Sequence, residues 1–411
     1  MDFRLQRCGN TGFIHLFTAT VYLIRMSLSP LFAAAKTLAR VAALTIALVP
    51  AAHADGMGNS SVALAVHPEA VPIVPIRRTG TIIAADWTIF KSRFIRDDGK
   101  LVDSFSALSH SEGQGYAMLL ALGADDRATF DKVWNWTRTN LKRPTDSLLA
   151  WNWTPTLGGP GGAIGDSNDA TDGDILVAWA LHRAARQWQA PAYDAAAKPI
   201  ARDVLAKLVR DVGGFAVLLP GLSGFEHDGA ITVNLSYWIF PAFLSLNEIV
   251  PSLRWYELER SGLYLVSVAR FGASKLPADW MVVKPNGDGG LDLSLLPDKP
   301  NYGFDAMRIP LYLLWDGKAS ADNVAALLSF WKNCKDNKIP ATVNLISGTV
   351  STYPIPPGMR AIVAAVEAHS AQPNVRVSAA LIPTLPALAD DKDYYSAALG
   401  LLVRLALSER S

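Results

Sequence analysis

Ser111-Glu112-Gly113-Gln114-Gly115-Tyr116-Ala117-Met118-Leu119-Leu120-Ala121-Leu122 decides how this chain is read. A polar, glycine-flanked acid runs straight into a stretch that is apolar on every side, and a helix that is apolar all round is a buried one. Other elements must therefore pack around a helix that carries a carboxylate at its first turn. That carboxylate has two readings. Ser109-His110-Ser111-Glu112 fits the Ser-x-x-Glu capping box, in which the glutamate only satisfies backbone amides. Alternatively, the helix N-terminus favours its charge while apolar surroundings favour its proton, raising its pKa, and that balance suits a general acid.

Outward from this stretch, helix-length apolar patterns dominate. They cover Asp86 to Phe94, Gln114 to Leu122, Arg127 to Leu141, Asp174 to Gln187, Ala196 to Asp211, Trp238 to Ile249, Arg254 to Phe271, Asp305 to Trp315, Ser320 to Asn333, Pro357 to Ser370 and Asp391 to Ser408. Strand-like segments are few and short, such as Phe215-Ala216-Val217-Leu218-Leu219 and Ala341-Thr342-Val343-Asn344-Leu345. The expected fold class is all-α, an array of paired helices that can close into an α/α toroid.

Composition narrows the function classes. The 411 residues carry a net charge of +1 without a long basic run, which argues against nucleic acid as a partner. Twelve tryptophans suit sugar-stacking clefts as well as cores. Cys8 and Cys334 are the only cysteines, and loss of the N-terminal segment leaves Cys334 as a lone, buried thiol, so no Cys-based zinc site is expected. No metal and no cofactor is predicted. Phe225-Glu226-His227-Asp228 lacks a helical His-Glu-x-x-His and reads as a solvated turn, and Gly158 to Gly165 lacks a following Lys-Ser or Lys-Thr and reads as a flexible surface loop.

Lys36 and Arg40 precede the apolar run Val41 to Val49, followed by Pro50 and Ala52-His53-Ala54. This reads as a secretory signal over residues 1–54, with translation starting at Met26 and cleavage after Ala54. The run is too short for a spanning helix of about 20 apolar residues, so no stable membrane insertion is expected after cleavage, and the product is periplasmic or secreted. Residues 55–78, rich in Gly, Ser, Pro and Val, read as a linker or extended arm, and one folded domain is expected over 79–411.

Two further acids stand at helix starts. Asp166-Ser167-Asn168-Asp169-Ala170-Thr171-Asp172-Gly173-Asp174 precedes an apolar helix and fails the spacing of a calcium loop. Thr171 as N-cap with Asp174 as its partner accounts for those two and leaves Asp172 as a candidate for binding a substrate hydroxyl. In Asn301-Tyr302-Gly303-Phe304-Asp305-Ala306-Met307-Arg308-Ile309-Pro310, Asp305 reads as an N-cap or as a carboxylate that Arg308, three residues on, keeps ionised for work as a base. Alternate helices of a toroid start at the same end, so the three acids can converge on one cleft.

These stretches, together with Asp86-Trp87-Thr88-Ile89-Phe90-Lys91, Ala124 to Asp131, Leu218-Leu219-Pro220-Gly221 and Asn234-Leu235-Ser236-Tyr237-Trp238, resemble glycoside hydrolase family 8 endoglucanases, above all the periplasmic cellulases encoded with bacterial cellulose synthase. The resemblance extends in order from about residue 86 to 315. It implies an (α/α)6 barrel and a secreted endo-β-1,4-glucanase that acts on cellulose with inversion, beside a possible cellulose synthase complex. Glu112 would be the proton donor, Asp305 the general base, and Asp172 the residue that binds the distorted sugar. Substrate binding would fall to Trp151, Trp153, Tyr237 and Trp238, with Tyr302 and Arg308 beside the base, whereas Trp134, Trp136 and Trp179 read as packing. A family 8 chitosanase or xylanase, or a noncatalytic glucan-binding export component, are the other readings.

Overall fold

Each of the helix-length patterns becomes an α-helix in the computed structural model, which describes residues 84–159, 161–335, 338–372 and 379–409. The leader and the arm fall outside the described residues. In chain order the helices are α1 (Ala84–Phe94), α2 (Ser111–Gly123), α3 (Arg127–Asn140), α4 (Thr171–Gln187), α5 (Pro191–Lys207), α6 (Phe240–Ile249), α7 (Leu253–Val268), α8 (Ile309–Trp315), α9 (Ala321–Lys332), α10 (Pro357–Ala371) and α11 (Tyr394–Glu409).

Burial divides them into two sorts. In α2 every residue except Glu112 is buried, and α4 and α11 are buried along most of their length. By contrast α3 buries Thr129, Phe130, Val133, Trp136 and Thr137, a single stripe at helical spacing. The largely buried helices and two striped ones, α6 and α10, contact one another in succession: α2 packs on α4, α4 on α6, α6 on α8, α8 on α10, α10 on α11, and α11 on α2. Other striped helices cover them, α3 against α2, α5 against α4 and α7 against α6. The protein is thus mostly helical, with its core between the two sorts of helix.

Strands are short, as expected, but more numerous than the sequence suggested. They are β1 (Ser109–His110), β2 (Ala150–Pro155), β3 (Gly162–Asp169), β4 (Val209–Val212), β5 (Phe215–Leu218), β6 (Glu226–His227), β7 (Ala230–Val233), β8 (Met281–Pro285), β9 (Leu291–Leu295), β10 (Asn301–Tyr302) and β11 (Val343–Asn344). They form antiparallel sheets in the order β1-β2-β3, β4-β5, β6-β7-β8-β9 and β10-β11.

Several local expectations are corrected. The helix read as Ala196 to Asp211 begins earlier, at Pro191, and stops at Lys207, because the next residues pair as β4 with β5. Within the glycine-rich stretch read as a flexible surface loop, Gly162 to Gly165 instead begin β3, paired with β2. Pairing β3 with β2 requires Gly162, where a Cβ would fall 2.1 Å from the Trp153 ring. Cys334 is half-buried rather than buried.

Candidate active site

Two short sheets set the helix starts that carry the acids. β1 pairs with β2 and leads directly into α2, so the β2-β3 hairpin fixes where Glu112 begins its helix. β10 pairs with β11 through Asn301↔Asn344 and Tyr302↔Val343, and the chain then passes through Gly303 and Phe304 to Asp305 and a 3-10 turn at Ala306–Arg308 before α8. Between α2 and α4 the approach is close: a Cβ on Gly173 would lie 2.2 Å from Ser111 Oγ and 2.9 Å from the Glu112 amide nitrogen. One turn into the pair, a Cβ on Gly115 would lie 2.6 Å from Leu176 Cβ. These two glycines let the first turns that carry Glu112 and Asp172 meet.

The capping readings of Glu112, of Thr171 with Asp174, and of Asp305 all fail. The N-cap of α2 is His110, with no side-chain cap, and Ser109 Oγ donates to Gln114 instead. The N-cap of α4 is Ala170, so Thr171 is not a cap; its hydroxyl donates to the Leu219 carbonyl at 2.6 Å. Asp174, expected as its partner, accepts the Leu149 amide at 2.7 Å. Asp305 stands at the N-cap position of the 3-10 turn without making a side-chain cap bond.

What the acids do instead is share one cation. Arg308 is 2% exposed, and its Nη1 donates to Glu112 Oε1 and, at 2.9 Å, to Asp172 Oδ2, while its Nη2 donates to Asp305 Oδ1 at 2.8 Å. Tyr116, one turn along α2 from Glu112, donates its hydroxyl to Glu112 Oε1 at 2.8 Å and accepts from Arg308 Nη1 at 3.1 Å. The guanidinium also lies over the rings of Tyr237, at 5.7 Å, and Tyr395, at 6.0 Å. The carboxylates differ in access, at 3% exposure for Asp172, 19% for Glu112 and 30% for Asp305.

Three acids around one guanidinium cannot all ionise at low cost, because burial and mutual repulsion both favour the protonated forms. Burial and then the Glu112 charge push Asp172 up to about 7, against the pull of Arg308. Asp305 is also raised, by burial first; Arg308 opposes this and the Glu112 charge adds to it. Arg308 does bear on Asp305 in the direction expected, toward the ionised form, but burial is the larger influence and raises it. Such a site can hold a proton on one carboxyl while another stays anionic, as acid and base catalysis on opposite sides of one bond requires.

The predicted binding aromatics divide. Trp151 is half-buried, its ring stacked on His110 at 5.6 Å and its Nε1 donating to Asp166 at 2.9 Å. Tyr237 is half-buried beside Arg308. Trp153, Trp238 and Tyr302 are buried, so stacking on a ligand does not fit them. Trp153 packs edge-on to Trp136, Trp238 donates to the Leu258 carbonyl, and Tyr302 lies between Met307 and Trp331. Arg308 lies beneath the acids and binds them. Trp136 and Trp179 are core, and Trp134 packs against it, as read.

Sequence reasoning missed Tyr116, Tyr395, Trp280 and Asp279. Tyr116 was legible from its spacing to Glu112. Trp280, half-buried, meets Tyr237 edge-on at 6.0 Å and stacks on Phe225 at 5.9 Å, but nothing in the sequence connects these three positions.

Comparison with known proteins gives the family. A family model described as glycosyl hydrolases family 8 matches residues 73–409. The chain is 38% identical over 331 residues to a probable endoglucanase of Novacetimonas hansenii, covering 80% of this chain and 92% of that one. It is 37% identical over 284 residues to an endoglucanase of Cellulomonas uda, covering 67% and 75%. The solved endo-β-1,4-glucanase of Acetobacter xylinum superposes with a TM-score of 0.71 at 37% identity, over 80% of this chain and 98% of that one. The family match takes in every described helix, well beyond the motifs between 86 and 315, and on that ground the chain is a glycoside hydrolase of family 8.

Proposed function

We propose that this protein is an endo-β-1,4-glucanase that cleaves cellulose chains internally with inversion at the anomeric carbon. The observation that carries the reading is the sharing of Arg308 by Glu112, Asp172 and Asp305, three acids brought from separate helix starts. Glu112 gives a proton to the glycosidic oxygen as its bond to the anomeric carbon breaks. Asp305, the most exposed of the three, takes a proton from the water that attacks that carbon from the opposite face. Asp172 binds hydroxyls of the distorted sugar. Trp151, stacked on His110, and Tyr237 with Trp280, next to Arg308, are half-buried, and we assign these rings as stacking surfaces for the sugar chain.

The succession of helix contacts that returns from α11 to α2 supports an (α/α)6 barrel, with residues 79–411 as the catalytic domain. The leader reading places the mature protein outside the cytoplasm, with Asp55 as the N-terminal residue expected from mass spectrometry of the exported form. A role beside a cellulose synthase complex follows from the same resemblance, and loss of the gene's product should then alter the cellulose that the cell exports.

The deciding experiment is product analysis. Wild-type enzyme should release reducing ends from carboxymethylcellulose and α-anomers from cellopentaose by NMR, while Glu112→Gln should lose at least a hundredfold in kcat, as removal of a general acid typically costs about 10²–10⁴. β-Anomers would refute inversion, release from chitosan or xylan alone would move the substrate class, and binding without products would identify a noncatalytic glucan-binding protein.

A further inference from the structure

Asp305 lies on a short irregular segment between β10 and the 3-10 turn, and the ion pair to Arg308 fixes its carboxylate but not its backbone. The backbone is held from elsewhere. Asp279, in the loop before β8, accepts two amide hydrogens on a single carboxylate oxygen, from Gly303 at 2.9 Å and from Ala306 at 2.8 Å. These amides bracket Phe304-Asp305. The Asp279 amide in turn donates to the Asn301 carbonyl at 2.7 Å, and on the other side Tyr395 donates its hydroxyl to the Phe304 carbonyl at 2.9 Å. Gly303 leaves room for this arrangement, since a Cβ there would lie 2.9 Å from the second Asp279 oxygen and 3.2 Å from Thr342 Cγ2.

We propose that Asp279 is a positioning residue for the base. Its carboxyl clamps the amides of Gly303 and Ala306, so that Asp305 between them meets both Arg308 and the attacking water. The proposal rests on the reading of Asp305 as general base. The charged groups that bear on Asp279 are Asp305, which disfavours its ionisation, and Arg308, which favours it. Burial is the larger influence and, with the Asp305 charge, pushes Asp279 up to about 8. What the clamp needs is one oxygen that accepts both amides, and an asparagine can reproduce that part.

The test compares Asp279→Ala with Asp279→Asn in kcat and KM on cellopentaose. Loss of the clamp in D279A should lower kcat about a hundredfold, the scale of a catalytic group displaced by about 1 Å, with KM within about threefold of wild type. D279N, which keeps an acceptor oxygen, should recover at least tenfold in kcat over D279A. A merely structural aspartate would lower thermal stability without this split. If D279A does not fold, Asp279→Ser takes its place with the same expectations. Overturning results are a D279A kcat within threefold of wild type, a D279N no better than D279A, or an effect confined to KM. A crystal structure of the alanine variant gives a reading independent of turnover: Asp305 should leave Arg308 Nη2, and an unmoved Asp305 sinks the proposal. Should the wild-type enzyme release nothing from any glucan, the substrate assignment falls, and that structure alone decides the clamp.

Discussion

At the scale of single residues, Arg308 carries more of the site than any acid does. It is buried, its Nη1 and Nη2 are taken up by Glu112, Asp172, Asp305 and Tyr116, and its Nε has no hydrogen-bond partner. Breaking a buried ion pair by removing one partner strands the other charge, at a cost of about 3–5 kcal/mol. Here one cation serves three acids, so whichever of them stay ionised would lose their counter-charge at once. Arg308→Met should therefore lower stability by about that amount in urea denaturation and abolish measurable turnover. Arg308→Lys restores the charge but not the planar fork that reaches Asp305 with one nitrogen and Glu112 and Asp172 with the other. It should recover stability while kcat on cellopentaose stays at least about a hundredfold below wild type. A lysine variant within tenfold of wild type would mean that the charge alone matters and that the fork does not organise the acids.

At the scale of elements, the site depends on how closely two helix starts approach. Gly173 is the contact point, with no room for a Cβ against Ser111 and the Glu112 amide, whereas Gly115 meets Leu176 deeper in the same helix pair. Overpacking of this kind costs about 1–3 kcal/mol wherever it occurs, but only the outer position bears on the acids. Gly173→Ala should lower kcat by about ten- to a hundredfold, and Gly115→Ala should destabilise to a similar degree with a much smaller effect on kcat. Equal kcat losses would show that general loosening of the pair, not its outer end, controls the site. The same elements show what the sequence reveals. Most helices were legible because each is long and strongly apolar, and the three acids were legible because Glu112 and Asp172 lie in the first turn of such a helix and Asp305 just before the 3-10 turn that leads into the short α8. Their partners were not. Glu112 and Arg308 lie far apart in the chain, and a capping box looks the same in sequence whether its glutamate caps or turns away to an arginine. Trp238 and Tyr302 were misread for a related reason: both stand in stretches that resemble the family's motifs, but Trp238, which follows a 3-10 turn at Leu235–Tyr237, and Tyr302, in β10, turn their rings inward. The four-stranded sheet was hidden because its strands are only two to five residues long and are drawn from separated loops.

At the scale of the whole molecule, the site shapes how stability depends on pH. Among the described residues, burial raises Asp391 to about 6, Asp172 to about 7 and Asp279 to about 8, and also raises Asp305 and Asp174. A carboxyl raised in the native state keeps its proton over a range where the unfolded chain, near 3.8–3.9, has lost it. The native state then binds more protons than the unfolded one, so stability falls as the pH rises through that range. Asp126 works in the opposite sense. Lys91, Thr129 and Trp87 bond its carboxylate and outweigh burial to hold it at about 2, so its contribution is present above the unfolded value and lost as pH falls toward 2. His110, lowered by burial, adds some stability as the pH passes its unfolded value near 6.5, which partly offsets the loss from the acids. With a net charge of only +1 at pH 7, general self-repulsion is small near neutrality. The urea midpoint should therefore peak near pH 4–5, where the raised acids are protonated in the native state and Asp126 is ionised, and decline toward pH 8. Asp172→Asn removes one raised carboxyl and keeps its shape, so its curve should be flatter than wild type between about pH 4 and 7 and run parallel to it above pH 8. A wild-type midpoint that rises from pH 5 to 8, or an asparagine variant with an unchanged slope, would mean that these buried acids do not hold their protons in the folded enzyme, and that Arg308 keeps Asp172 ionised against burial and the Glu112 charge.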